Sequence, residues 1–194
     1  MRQILYFALI GLTACTATHY PMREDVVLFN QADNIFLRNH QKLPEVLPIY
    51  TTLAEKGFTE AQFRLATAYE DLAYQSTQQW ERTSYRQQSV YWYHKAAKNG
   101  HPIAQNNLAL FYGVGVDNVL SQDLEQKFAW LQRAAQQGFA TAQSNLGVMY
   151  HRGEYVAQDF DMADFWYRKA ILQNYGTAKQ HYENLLRDRI NQSK

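Results

Sequence analysis

The 194-residue sequence has one cysteine, four prolines and almost no excess of charge of either sign. A single cysteine cannot close an intramolecular disulfide, so the fold has to be stable without covalent cross-links. Nineteen Lys and Arg residues against 18 Asp and Glu residues give a formal net charge of +1. Phosphate binding requires a basic surplus that is missing here, so the sequence does not favour nucleic acid as a partner.

The composition favours one folded domain or one repeat array. Hydrophobic residues make up 46% of the chain and aromatic residues 14%, which is enough for a packed core. The chain contains no low-complexity run and no block of like charges, so disorder is expected only at its ends.

The first 14 residues have the layout of an export signal. Arg2 is followed by an apolar stretch, residues 4–10, and then by small residues. A membrane-spanning helix needs about 20 apolar residues, whereas His19, Pro21 and Arg23 follow too soon. The sequence therefore predicts a signal peptide over residues 1–14.

The end of that segment resembles the lipobox of bacterial lipoprotein signals, with the residues Leu12-Thr13-Ala14-Cys15. The resemblance implies that Cys15 is acylated and anchors the mature chain to a lipid bilayer. Two or three acyl chains hold a protein on a membrane almost permanently. Thr16 follows the cysteine where family members retained in the inner membrane carry Asp, so the expected location is the bacterial cell envelope, in the outer membrane facing the periplasm. The alternative is a buried amino-terminal helix with an incidental cysteine.

An internal repeat occupies most of the remaining chain. Marker alanines Ala61, Ala104, Ala142 and Ala178 recur at spacings of 43, 38 and 36 residues. Large apolar or aromatic residues follow at plus four and plus eight: Leu65 and Tyr69, Leu108 and Tyr112, Leu146 and Tyr150, Tyr182 and Leu186. Such spacing places the residues on one face of a helix.

Start and stop signals agree with helix pairs. Gly57, Gly100 and Gly138 precede the markers by four residues, where a helix end requires a left-handed backbone, and Asn174 takes that place in the fourth unit. Thr59 with Gln62 fits a capping box, and Pro102 fits the first position of a helix.

These runs resemble the Sel-one-like repeat, a relative of the tetratricopeptide helix-turn-helix unit. The matching patterns are Ala-x-x-Gly-x-x-x-Ala, Leu-(Ala/Gly)-x-x-Tyr and Trp-(Tyr/Leu)-x-(Lys/Arg)-Ala, over residues 54–186. The resemblance implies an all-α solenoid of stacked antiparallel helix pairs. The expected organisation is a tether over residues 15–25, N-terminal helices and a partial repeat over 26–57, and the repeat array with a C-terminal capping helix over 58–194.

The tryptophans divide into two groups. Trp92, Trp130 and Trp166 stand at repeat positions and are expected in the core. Trp80 lies outside these positions, in a polar stretch, residues 74–82, that is interpreted as an inserted loop. An aromatic residue on such a loop is either a contact residue or folds back on the helices.

No motif indicates catalysis, a metal site or a cofactor. Gly113 and Gly115 lack the strand and the Lys-Ser/Thr of a phosphate loop, and the six histidines never form a zinc-binding pair with a Glu. Asp159, Asp161 and Asp164 are interpreted as acids at a helix start, where they interact with the helix dipole.

The remaining candidate is a surface. If the array curves like its tetratricopeptide relatives, the first helices of the units line its concave side, and residues two positions off the packing face project from it. With Trp80 they form the predicted partner-binding set: Glu60, Phe63, Thr67, Glu70, Asn106, Leu110, Ser144, Val148 and His151. The favoured hypothesis is a non-enzymatic adaptor that holds another envelope protein or peptide. The alternatives are a polysaccharide- or peptidoglycan-binding module, which uses Trp80, and an envelope hydrolase, a role linked to some relatives.

Overall fold

The computed structural model describes residues 22–192, apart from the side chain of His40, and these residues are helical with short connections. The signal peptide, Cys15 and residues 193–194 lie outside the described residues. The helices are α1 Arg23–Arg38, α2 Leu43–Glu55, α3 Thr59–Gln75, α4 Gln79–Lys98, α5 Pro102–Val114, α6 Leu124–Gln136, α7 Ala140–Arg152, α8 Phe160–Ile171 and α9 Gly176–Gln192. The predicted all-α solenoid is confirmed.

The first helix begins earlier than expected. α1 starts at Arg23, inside the segment that was predicted as a tether. Glu24 and Asp25 lie in its first turn, where negative charge interacts favourably with the helix dipole. Asp25 also pairs with Lys56 at 2.7 Å, which holds this end of α1 against the end of α2.

Each helix packs against the next one in chain order, and α7 also contacts α9. One continuous core runs from Phe29 to Trp166, and a smaller cluster of Ala163, Tyr167 and Leu185 fixes the last helix. Trp92, Trp130 and Trp166 are buried, as predicted. Burial of an aromatic side chain of this size contributes several kcal/mol before the entropy loss is subtracted.

The turn before each marker alanine has the left-handed backbone that was predicted. Gly57, Gly100 and Gly138 have φ of 90°, 90° and 91°, and Asn174 has φ of 61°. The fourth unit therefore keeps the left-handed turn without glycine, because asparagine tolerates this conformation better than most residues.

Two local predictions are wrong. Thr59 is the first residue of α3 and does not cap it, because Phe58 occupies the cap position without a side-chain bond. In α9 the buried leucine is Leu185, whereas Leu186 is exposed, because α9 packs against both α7 and α8 and these contacts set its rotation.

Candidate protein-binding surface

The predicted partner-binding residues, apart from Trp80, lie on the first helices of the helix pairs, α3, α5 and α7. We call the side of α3, α5, α7 and α9 on which they lie the first-helix face. Several of these residues contact the next helix of this face, and they therefore join consecutive units.

The contact between α3 and α5 depends on His101. Its Nε2 lies 3.1 Å from the Glu60 carboxylate, and its ring stacks on Phe63 with 4.3 Å between centroids. The Nδ1 atom of His101 accepts a hydrogen bond from the Ala104 backbone N–H and so caps α5. The hydrogen bond from His101 lowers the pKa of Glu60, and Arg64 adds to that effect.

The later contacts are also polar. Asn145 on α7 donates to the Asn106 side-chain oxygen on α5 at 3.1 Å. Ser144 on α7 bonds the Nδ1 atom of His181 on α9 at 3.1 Å, and His151 bonds Asp188 at 2.9 Å. The predicted stripe is thus partly an inter-repeat seam.

The expectation that every stripe residue projects from the array is wrong for Phe63, Asn106 and Ser144. All three are buried. Their positions would be solvated on an isolated helix pair, but the neighbouring unit covers them once the pairs stack.

The other stripe residues differ in what they offer. Leu110 is 45% exposed and, with the exposed Ile103, forms the apolar part of the first-helix face on α5. The Thr67 hydroxyl donates to the Arg64 carbonyl, and Val148 packs on the smaller C-terminal cluster. The Glu70 carboxylate accepts from the Tyr93 hydroxyl, and burial raises the pKa of Glu70.

Trp80 is 69% exposed, but it does not lie in a long loop. It is the second residue of α4, and the connection from α3 consists only of residues 76–78. The inserted residues lengthen the two helices instead. Two hydrogen bonds close the short turn between them: Ser76 donates to Glu81 at 2.6 Å, and the Ser76 carbonyl accepts from Arg82 at 3.0 Å.

A ladder of buried amides joins the repeats, and the sequence reasoning did not foresee it. The glutamines after three markers, Gln62, Gln105 and Gln143, donate to the backbone carbonyls of Ala54, Ala97 and Ala135 at 3.1, 3.0 and 3.2 Å. Their own oxygens accept from Asn99, Gln137 and Gln173 at 2.9, 2.7 and 2.8 Å. The sequence signal for this ladder was a glutamine directly after three of the marker alanines, but Gln62 was interpreted as part of a capping box.

Ser144 and His181 form a serine–histidine pair, a combination that the hydrolase alternative would require. Ser144 bonds His181, and burial, with Arg152 and His151, lowers the pKa of His181. A triad needs a carboxylate that orients the same histidine. Asp188, however, bonds the other histidine, His151, and Ser144 is buried. This arrangement joins α7 to α9 and does not assemble a nucleophile.

Comparisons with known proteins agree with this architecture. A family model described as Sel1 repeat matches residues 59–101, 102–139 and 140–175. A Sel1 repeat protein from Oxalobacter formigenes is similar at 31% identity and a TM-score of 0.59, over 70% of this chain and 95% of that one. A protective antigen of uropathogenic Escherichia coli with an SLR fold is similar at 23% identity and a TM-score of 0.54, over 83% of this chain and 41% of that one. A comparison with curated proteins finds no match.

The fold and the stacked units define a helical repeat protein of the solenoid class. The chain belongs to the Sel1 repeat family. Proteins of this family generally act as scaffolds for protein–protein interactions.

Proposed function

We propose that this protein is an adaptor of the bacterial cell envelope, anchored by acylated Cys15, that holds another protein on the first-helix face. The observation that carries the proposal is that α5 exposes apolar side chains, Leu110 and Ile103 on the first-helix face and Val114 at its end, in a family of interaction scaffolds. Apolar side chains in the middle of a polar, rigid face suit a protein partner.

The membrane anchor is supported by the sequence around Cys15, which lies outside the described residues. Within residues 22–192, no helix has the length and apolar character needed to cross a membrane. α1 begins at Arg23, so a short segment separates the predicted anchor from the array. An anchored chain would hold α1 close to the bilayer surface.

The adaptor role is tested by crosslinking in cells, followed by identification of the attached protein. Leu110→Arg places a charge in the apolar part of the first-helix face and is expected to abolish a specific crosslinked product. The matched control is Leu172→Arg, because Leu172 is 83% exposed in the turn after α8, away from this face. A product that survives Leu110→Arg, or is lost equally in both variants, contradicts the proposal.

The anchor has its own test. Cys15→Ala is expected to lose fatty-acid labelling and to leave the membrane fraction. A variant that remains membrane-bound and labelled contradicts the anchoring at Cys15.

A second candidate, binding of envelope polysaccharide or peptidoglycan, is favoured by Trp80. It is the exposed member of the four tryptophans, and the other three are buried. Glycan fragments that stack on its ring are therefore expected to change the emission of the wild type but not that of Trp80→Phe. Equal responses in both proteins exclude stacking on Trp80.

A further inference from the structure

A cleft of about 540 Å³ lies where the lengthened first repeat meets the second. The last turn of α3, the first half of α4, the end of α5 and the loop at Gly115 surround it. The volume falls in the range of small-ligand and side-chain pockets. None of the predicted site residues apart from Glu70 lines it.

Two guanidinium groups occupy one wall. Arg82 and Arg86 are four residues apart on α4, so they share a helix face. Arg82 donates to the Ser76 carbonyl through one terminal nitrogen. Arg86 lies 3.9 Å from the carboxylate of the exposed Asp117, which is too long for a hydrogen bond. Most donors of both groups are thus open to a ligand.

Ser89, one helical turn beyond Arg86, contributes an unsatisfied group. The residue is 1% exposed, lines the base of the cleft, and its hydroxyl has no hydrogen-bond partner among the described residues. Buried hydroxyl groups are nearly always paired, so a group that enters the cleft meets a free donor and acceptor at Ser89.

The rest of the lining combines apolar side chains with the exposed Tyr74 and two carboxylates, Glu70 and the exposed Asp117. Ala73, Val90 and Phe111 provide apolar surface, and the carboxylate of Glu70 stands at the side of the cleft. A ligand that fits has an anionic group for the guanidinium pair, an apolar side chain, and an N–H group for Glu70.

We propose that this cleft binds the C-terminal residue of a peptide chain, with its carboxylate on Arg82, Arg86 and the Ser89 hydroxyl and an apolar side chain on Val90 and Phe111. A chain terminus unites these three groups, whereas inorganic phosphate has only the anion and a free apolar acid lacks the N–H. This assignment rests on the proposed adaptor role and names the part of the partner that is held.

The test is calorimetric titration of the whole chain, purified in a non-ionic detergent. The probe is acetyl-Ala-Ala-Leu with a free carboxylate, and the comparison ligands are its C-terminal amide, inorganic phosphate and isocaproate, the analogue of leucine without its nitrogen. The free acid is expected to bind at least about tenfold more tightly than the amide, since a charge-assisted bidentate contact is lost in the amide.

Variants separate recognition from folding. Arg86→Gln is expected to weaken peptide binding about tenfold or more, while Arg38→Gln, an exposed arginine on α1, leaves it unchanged. Ser89→Ala is expected to weaken binding roughly two- to tenfold without lowering the melting temperature of the free protein, because it removes an unpaired hydroxyl.

Four outcomes overturn the inference: equal binding of acid and amide, unchanged binding in Arg86→Gln, phosphate that binds as tightly as the peptide, or isocaproate that binds as tightly as the peptide. The last outcome assigns the cleft to a small acid. The adaptor role is judged separately by the crosslink that depends on Leu110. A failed titration with an intact crosslink therefore refutes the cleft alone.

Discussion

The first and third repeats share a core but differ in what they build around it. The first spans 43 residues and has helices of 17 and 20 residues, whereas the third spans 36 residues and has helices of 13 and 12. Leu65 and Leu146 are fully buried at the same repeat position in both. The extra residues extend α3 and α4 past the stacked core.

This difference shows how the repeat tolerates an insertion. Gln62 and Gln143 make the same carbonyl bond in both units, so the inter-repeat ladder is unaffected by helix length. The extension adds a wall of the cleft, because α4 has 20 residues and α5, which packs against it, has 13. The core thus sets the stacking and the insertion creates surface, in agreement with the modular energetics of solenoids.

The largest effect is expected for core substitutions, which test whether the first and third repeats contribute equally to the stability of the shared core. Leu65→Ala and Leu146→Ala are each expected to lower the free energy of unfolding by about 2–5 kcal/mol, because a buried leucine leaves a cavity. Urea denaturation of both variants gives the comparison. If Leu65→Ala costs far less than Leu146→Ala, the first repeat is not an equal part of the core.

The two helices of the third repeat approach each other closely at Gly147. A Cβ at Gly147 would lie 2.6 Å from the ring of buried Tyr167, whereas the first repeat has Ala66 at this position. Gly147→Ala is therefore expected to lower the free energy of unfolding by about 1–3 kcal/mol despite the better helix propensity of alanine.

Gly176→Ala is the matched control, because no atom lies within 4 Å of the added Cβ. Its free energy of unfolding is expected to stay within about 0.5 kcal/mol of the wild type. A Gly147→Ala protein as stable as this control would show that the Tyr167 ring moves aside to accommodate the added methyl group.

The amide ladder is expected to contribute equally in both repeats. Gln62→Leu leaves the Ala54 carbonyl without its side-chain donor and Asn99 without its acceptor. Gln143→Leu leaves the Ala135 carbonyl without its side-chain donor, while Gln173 keeps the Gly138 carbonyl as an acceptor. A loss of about 1–3 kcal/mol in unfolding free energy is expected for each, measured by urea denaturation. A neutral result in one repeat only would show that water replaces the ladder there.

Acid is expected to act on the C-terminal side of the array. Burial, with Arg152 and His151, lowers the pKa of His181 from 6.5. As the pH falls, His181 is protonated at a higher pH in the unfolded chain than in the folded one. The stability that neutral His181 contributes is therefore complete above pH 6.5 and is lost as the pH falls through the lowered pKa. His181→Gln should reduce the difference in unfolding free energy between pH 7.5 and pH 5.5.

Burial and Lys98 also lower the pKa of His94, so protonation of His94 destabilises the fold in the same pH range. The pH dependence of the unfolding free energy should therefore shrink in His181→Gln without vanishing. An unchanged pH dependence would show that His181 is protonated with equal ease in both states.

The smallest effect is expected at Trp80. Because the side chain is 69% exposed, Trp80→Ala should change the free energy of unfolding by less than about 0.5 kcal/mol. A larger loss in thermal denaturation would show that the indole packs on the extended helices.

Sequence spacing predicted the repeat positions well and the surface poorly. Trp92, Trp130 and Trp166 were correctly assigned to the core, and Asn174 correctly replaced a turn glycine. Phe63, Asn106 and Ser144 were wrongly expected to project, since their burial depends on a neighbouring unit whose rotation no local pattern encodes. Arg82 and Arg86 in the cleft wall went unnoticed because they lie in the lengthened part of the first repeat, at positions that the repeat pattern does not include.

The amino acids alone determined that this chain forms helix pairs, where each pair turns, and that the three tryptophans at repeat positions are withdrawn from water, because these properties follow from spacing within a single helix. Only the tertiary structure decided which polar residues join units and which stay free to bind. Each such residue is covered or exposed by a helix about 40 residues away in the chain, and its fate depends on how closely and at what rotation the two helices stack.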